Sequence, residues 1–237
     1  MGGFELRRRT PFQSAFKTYG GNQWDFTNVK RLGLEPDLVV DIGVAKGTPE
    51  LYAAFPDCEL FLIEPIAEFN DAIGQLLSNR SHRIVNKAVG KSSEELKLHW
   101  NQERPAQTSL YQRTMHTGRT RTIKVEPLDQ ILCDVRAENV IIKIDAEGAE
   151  LDVLEGAVES LQRSIAVFVE VNMGFGFEEY RNSLPEVNRL LSSAGFNLHS
   201  IMDAVRKGND YGLSIQKADL FYLRVGPEGR DQSKNSS

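Results

Sequence analysis

Leu38-Val39-Val40-Asp41-Ile42-Gly43-Val44-Ala45-Lys46-Gly47-Thr48-Pro49 decides the fold. An apolar run ends in an acid, two glycines bracket a turn, and Thr48 with Pro49 reads as a helix N-cap followed by the proline tolerated in a first helical turn. Strand, turn and helix in that order make half of a βαβ unit. The same grammar recurs outward from it: Leu60 to Ile63 leads to Glu64, Ile84-Val85 to Asn86, Val140 to Ile142 toward Asp145, and Ile165 to Val169 to Glu170. Between these runs Ile66, Phe69, Ile73 and Leu77 recur at helical spacing, as do Leu151, Leu154, Val158 and Leu161, and a further helix is expected from about Glu178 to Ala194, ended by Gly195. Asn197 to Met202 and Ala218 to Arg224 read as two strands with a loop from Asp203 to Ile215 and no helix between them, hence an antiparallel pair. The expectation is an α/β doubly wound seven-stranded sheet, mostly parallel with one antiparallel strand, and helices on both faces.

The 237 residues fit one good-sized domain, and 41% hydrophobic with 26% charged residues describes an ordinary globular chain. No apolar run reaches the ~18 residues of a membrane span, and Met1 to Phe12 lacks the apolar segment of a signal peptide, so a cytoplasmic location is expected. Cys58 and Cys133 sit in apolar surroundings, far apart in sequence and with no CxxC partner, which argues against a disulfide framework and against zinc. The net charge of −5 lacks the basic excess of a nucleic-acid binder. Residues 1–25, with Arg7 to Arg9 among Phe4, Phe12, Phe16 and Trp24, read as an arm laid over the domain; residues 226–237 read as a flexible tail. Glu95 to Trp100 alternates like a half-exposed strand, and the polar stretch from Asn101 to Arg121 is long enough to expect a functional loop.

In open α/β sheets ligands lie across the carboxyl ends of the strands at the point where strand order reverses. There, Gly43 and Gly47 let a ligand approach bare backbone, but DxGxxxG is not the GxGxxG of dinucleotide sites. An acid just before the first glycine repels a diphosphate and suits an ammonium group. Glu64 follows Asp41 by 23 residues, near the offset at which an acid accepts the hydroxyls of a ribose. A nucleoside with a cationic amino acid arm in place of phosphates is S-adenosylmethionine.

Asp41 to Gly47, Phe61 to Pro65, Asn86 to Gly90, Thr108-Ser109-Leu110, Leu128-Asp129, Ile142 to Glu150 (IKIDAEGAE) and Leu154 to Ala157 (LEGA) together resemble the FkbM family of S-adenosylmethionine-dependent methyltransferases, over roughly Val39 to Gly195. The resemblance implies a class I, Rossmann-like methyltransferase domain over residues 26–225 and methyl transfer to a hydroxyl of a sugar, glycan precursor or polyketide-like molecule. Carried over, it implies that Asp41, Gly43 and Gly47 hold the methionine arm, Glu64 the ribose, and Lys87 and Ala88 the adenine edge. Asp145 would stand beside the sulfonium. The implied proton acceptors are Asp145, Glu147 and His116, and the acceptor-binding residues Thr108, Ser109, Glu170 and Asn172.

Bland readings stand beside these. Lys143 shares a strand face with Asp145 and reads as a partly buried cation paired with Glu170 or another acid; Glu150 reads as a helix-start carboxylate favoured by the macrodipole. Asp145, Glu147 and Glu170 form an alternative set for Mg²⁺, although the favoured reading has no metal. Met173 to Phe177 could line an acceptor pocket or pack in the core. A non-catalytic adenosyl-ligand module acting through a protein partner is the alternative function, disfavoured by acids beside the methyl position; an NAD-dependent oxidoreductase is disfavoured by the missing third glycine and by Asp41.

Overall fold

The computed structural model describes residues 26–100, 119–173, 182–209 and 212–225. The N-terminal arm, Thr108, Ser109 and His116, the Phe175 and Phe177 positions and the C-terminal tail lie outside the described residues.

The strands β1 (Leu38–Ile42), β2 (Glu59–Ile63), β3 (His82–Val85), β4 (Ala88–Val89), β5 (Glu94–Trp100), β6 (Arg119–Glu126), β7 (Val140–Ile144), β8 (Ser164–Asn172), β9 (Phe196–Asn209) and β10 (Gly212–Arg224) form two sheets. The large sheet has seven strands in the order β3-β2-β1-β7-β8-β10-β9. β10 is antiparallel to both β8 and β9 and is therefore the reversed strand; the β3-β2, β2-β1, β1-β7 and β7-β8 pairs are parallel. Strand order runs outward to β3 on one side of β1 and through β7 on the other, so the switch point lies between β1 and β7.

The central strands show why a parallel sheet reads as apolar runs: β1 and β7 are buried at every position. Two charged residues interrupt them, Asp41 and Lys143, and they are direct register partners. Period-two alternation then sorts the core. Val40, Ile42, Ile142 and Val167 face α4 (Leu128–Ile131), α5 (Glu150–Glu155), α6 (Val158–Gln162) and α7 (Leu184–Ser193). Val39, Leu62, Ile141 and Phe168 face α1 (Thr27–Lys30), α2 (Pro49–Ala54), α3 (Asn70–Leu76) and the small sheet. Phe168 is the hub of that second layer, with Phe26 edge-on at 5.0 Å and Phe221 stacked at 4.5 Å between ring centres. Aromatic pairs of this geometry add about 0.5–1.5 kcal/mol each beyond their buried area.

The alternating Glu95 to Trp100 run is a strand as expected, and with the Thr122 to Val125 run it forms β5 and β6 of a separate three-stranded sheet, order β4-β6-β5. Three sequence expectations are corrected here. The stretch from Asp203 to Ile215, expected as a loop between two short strands, belongs instead to a long hairpin in which Asn209 pairs with Gly212. Three register shifts along the hairpin break the alternation that would have revealed it. Val158, expected on an apolar helix face, is 58% exposed, because the helix breaks at Gly156 into α5 and α6 and the phase is reset. A Cβ at Gly156 would stand 2.1 Å from the Gly90 carbonyl oxygen, so the break is a close backbone crossing. Asp129 completes the junction, since its carboxylate accepts from the Glu159 and Ser160 N–H groups at the start of α6. Finally, Cys133 is exposed and only Cys58 is buried. No helix among the described residues is long and apolar enough to cross a membrane.

Candidate active site

The turn after β1 is built against β7. Gly43 has φ +77 and Gly47 φ +101, and Ala45 between them also has positive φ at 47. A Cβ on Gly43 would lie 1.8 Å from the Asp145 carbonyl oxygen, and one on Gly47 2.5 Å from Leu76 Cδ2. The two glycines thus satisfy backbone conformation and close packing at once. The Asp145 N–H donates to the Ile42 carbonyl at 3.0 Å and ties the two strand ends together.

Asp41 is fully buried beneath this turn. Its Oδ1 lies 3.1 Å from Lys143 Nζ, and its Oδ2 accepts from Tyr52 OH at 2.6 Å and Thr48 Oγ1 at 3.0 Å. Thr48 does occupy the N-cap position, but it makes no side-chain cap bond: its hydroxyl goes to Asp41. The partner of Lys143 is Asp41, with Asp145 at 3.8 Å, rather than Glu170. Burial opposes the Lys143 charge, yet Asp41 and Asp145 outweigh it and leave the ammonium more basic than usual. Asp41 thus braces the turn from below.

Glu64 is 4% exposed. Its Oε2 accepts from the Ala45 N–H at 2.8 Å and its Oε1 from the Ile66 N–H at 2.9 Å, which fixes the carboxylate plane. Each oxygen keeps a lone pair for a further donor. Burial raises its pKa, and the two backbone N–H groups only partly counter that. Asn86 donates to the Glu64 carbonyl at 2.9 Å and joins the tips of β2 and β3. Lys87 is paired with Glu126 at 2.6 Å and Ala88 is buried in β4.

Beyond β7 the chain turns sharply through Asp145 to Ala149, with Glu147 at φ +49. Glu150 is fully buried and folds back on this turn: it accepts from the N–H groups of Ala146 and Gly148 at 3.0 Å and from the Asn182 side-chain amide. This role goes beyond the helix-start carboxylate read from the sequence. Burial, then Glu170 and Asp145, push its carboxyl up to about 8. Glu170, on β8, is pushed up to about 7 by burial and by Asp145, although Lys217 Nζ stands 2.5 Å away. Lys217 also reaches Glu147 at 3.5 Å. Asn172, at the end of β8, is buried.

Carboxylate oxygens of Asp145, Glu150 and Glu170 lie within 4.8 Å of one another; Glu147 is not in that group. The Mg²⁺ set expected from the sequence is corrected on this point, and the acids present do not fit a divalent ion. Both Glu150 oxygens are taken by N–H donors, and the Lys217 ammonium holds Glu170. Sequence reasoning missed Tyr52, Asn182, Lys217 and Asp219. Only the last two carried a signal, the Lys217-Ala218-Asp219 alternation that puts both on one strand face.

No curated protein matches the chain in sequence. Among solved structures it is similar to a precorrin-6y C5,15-methyltransferase from Geobacter metallireducens (13% identity, TM-score 0.44, covering 83% of this chain and 85% of that one). It is also similar to a ribosomal protein L11 methylase from Lactobacillus delbrueckii subsp. bulgaricus (13%, 0.44, 83% and 74%) and to Aeropyrum pernix fibrillarin, crystallised with natively bound S-adenosyl-L-methionine (7%, 0.43, 80% and 67%). The Methyltransferase FkbM domain matches residues 41–198, a span that begins at Asp41 and takes in Glu64, Asp145 and Glu170. The chain therefore belongs to the FkbM family of S-adenosylmethionine-dependent methyltransferases.

Proposed function

We propose that this chain is an O-methyltransferase acting on a hydroxyl of a sugar or polyketide-like small molecule. The observation that carries the reading is the placement of Asp145: its carboxylate, 24% exposed, stands at the switch point beside the Gly43 turn, with Glu170 on the next strand.

The residues fit the donor by their chemistry. The fixed carboxylate of Glu64 has lone pairs for ribose hydroxyls, Gly43 and Gly47 carry no side chain in the turn, and the one buried cation beside the turn among the described residues, Lys143, is offset by Asp41 and Asp145. Lys87 and Ala88 border the position of the base, the lysine positioned by Glu126. Bound there, S-adenosylmethionine supplies a methyl group on a positively charged sulfur, so the protein has only to align an oxygen and take one proton. Alignment accounts for up to about 7–11 kcal/mol of barrier in favourable systems. Asp145 accepts the hydroxyl hydrogen and orients the oxygen. Glu170, within 4.8 Å of it and held at about 7, is able to take the proton near neutral pH, where a base works best. Glu147 stays at the rim, and Asn172 closes the acceptor side beside Glu170. His116 is a further proposed proton acceptor, and Thr108 and Ser109 are proposed acceptor-binding residues.

Calorimetry with S-adenosylmethionine is the first test: the unsubstituted chain binds, and Glu64→Ala weakens binding at least tenfold. Transfer of labelled methyl to a panel of sugars, abolished in Asp145→Asn with donor binding retained, is the second. Methylation of amine nitrogen or of carbon in place of oxygen would sink the O-methyl reading.

A further inference from the structure

Asp219 of β10 is 8% exposed, and among the described residues its carboxylate makes no hydrogen bond and no ion pair within 4 Å. It stands directly across from Glu170 on β8 and from Asp203 on β9, and in both pairs the residues are register partners. Such side chains project to one face with Cβ atoms about 4.5–5.5 Å apart. Glu170 shares that face with Phe168, the partner of Lys143, and so with Asp41. The acids therefore share one face across five adjacent strands: Asp145, Glu170, Asp219 and Asp203 at one level, and Asp41 two residues back along β1. Asp41 is neutralised by Lys143, and Glu170 is held by Lys217. Asp219 feels Lys143 only from a distance and in part, in a setting where burying an incompletely paired charge is costly. Burial, then Glu170, Asp145 and Asp203, push its carboxyl up to about 8.

We propose that Asp219, flanked by Asp203, is a binding site for a primary ammonium group on the methyl acceptor, so that the substrate is an amine-bearing hydroxyl compound such as an amino sugar. The proposal rests on the methyltransferase reading above and names its substrate class. Asp219 lies two strands from Asp145, about 10 Å at the usual strand spacing, which a sugar-sized molecule spans with its hydroxyl at Asp145 and its amine at Asp219. An ammonium has three N–H donors and a single charge, matching one buried carboxylate with a second on the neighbouring strand. A divalent ion needs several oxygen ligands, and Asp219 lies outside the one group of acids that converge within 4.8 Å among the described residues.

The test uses the full chain saturated with S-adenosylhomocysteine, whose own binding is measured first; if that fails, the donor reading falls and not this one. Glucosamine and ethanolamine are then titrated against N-acetylglucosamine and ethylene glycol, which keep hydroxyls but lack the charge. The amines bind saturably and at least tenfold more tightly than their neutral counterparts. Asp219→Asn removes that preference and leaves S-adenosylhomocysteine affinity unchanged. Asp219→Asn also raises the melting temperature of the ligand-free protein, whereas a purely structural acid would lower it. Asp203→Asn, on the edge strand, weakens amine binding several-fold and serves if Asp219→Asn does not fold. No saturable binding of either amine, equal binding of charged and neutral probes, or an unchanged preference in both variants overturns the proposal. So does saturable Mn²⁺ binding lost in Asp219→Asn, which would assign the position to a metal ion.

Discussion

The pair Asp41 and Lys143 shows how much a single residue can decide in this fold. Both are buried, with side chains 0% and 3% exposed, and they neutralise one another in the middle of two apolar strands. Removing one partner of a buried pair leaves the other charge uncompensated, at a cost of about 3–5 kcal/mol. Asp41→Asn is accordingly expected to lower unfolding free energy by about 3 kcal/mol in urea titrations, and adding Lys143→Met to restore much of it. If the two losses simply add, the pair is not coupled. Gly43→Ala acts on the same junction from above. With φ +77 and a Cβ 1.8 Å from the Asp145 carbonyl oxygen, the substitution must displace the β7 tip. A loss of about 2–4 kcal/mol follows from strain and overpacking together, with donor binding abolished in calorimetry. These local features were legible in the sequence because an acid, a glycine and a helix start within eight residues need no knowledge of the sheet. That Lys143 answers Asp41 rather than Glu170 was not legible: register between strands 100 residues apart depends on the strand order, which periodicity does not contain.

At the level of elements, the recurrent strand ends were readable and the interruptions were not. Leu151, Leu154, Val158 and Leu161 keep helical spacing in sequence, yet Gly156 must pass against Gly90, and α6 restarts with a new face toward the core. The Asp129 carboxylate supplies the N-terminal acceptor that α6 lacks in its own flanking Ala157. Asp129→Ala should therefore cost about 1–2 kcal/mol, read as a lower urea midpoint with methyl-donor affinity intact. Gly74 offers the opposite case. It lies inside α3 without positive φ, and a Cβ there meets nothing within 4 Å. Gly74→Ala should stabilise by about 0.5–1 kcal/mol, and a fall in melting temperature would show that α3 is held by something other than its own backbone. The antiparallel β9–β10 pair was readable, but its extension escaped the sequence for a related reason: bulges and charged residues hide the alternation beyond Met202 and before Ala218, where Lys217 lies.

Across the whole molecule, three buried carboxylates make stability and ligand binding depend on pH in one linked way. Glu150, Glu170 and Asp219 have carboxyls raised to about 8, 7 and 8. An acid whose folded pKa lies above its unfolded one holds a proton in the folded state that the unfolded state has already released. Stability is then greatest below the unfolded pKa and falls as pH rises through the window between the two values. Ligand-free protein should lose on the order of 2–4 kcal/mol between pH 5 and pH 8.5, seen as a falling urea midpoint, and Asp219→Asn should flatten that slope. A rising midpoint over this range would mean that the acids are ion-paired throughout. Binding of a positive donor beside Asp145 and Glu170 must run the other way, since a nearby cation favours the deprotonated acids. S-adenosylmethionine should therefore release protons on binding near pH 7 and gain affinity from pH 6 to pH 8, whereas S-adenosylhomocysteine, with neutral sulfur, should do so less. Calorimetry in two buffers of different ionisation enthalpy separates the cases: equal proton release by the two ligands would place the sulfonium away from the acid row.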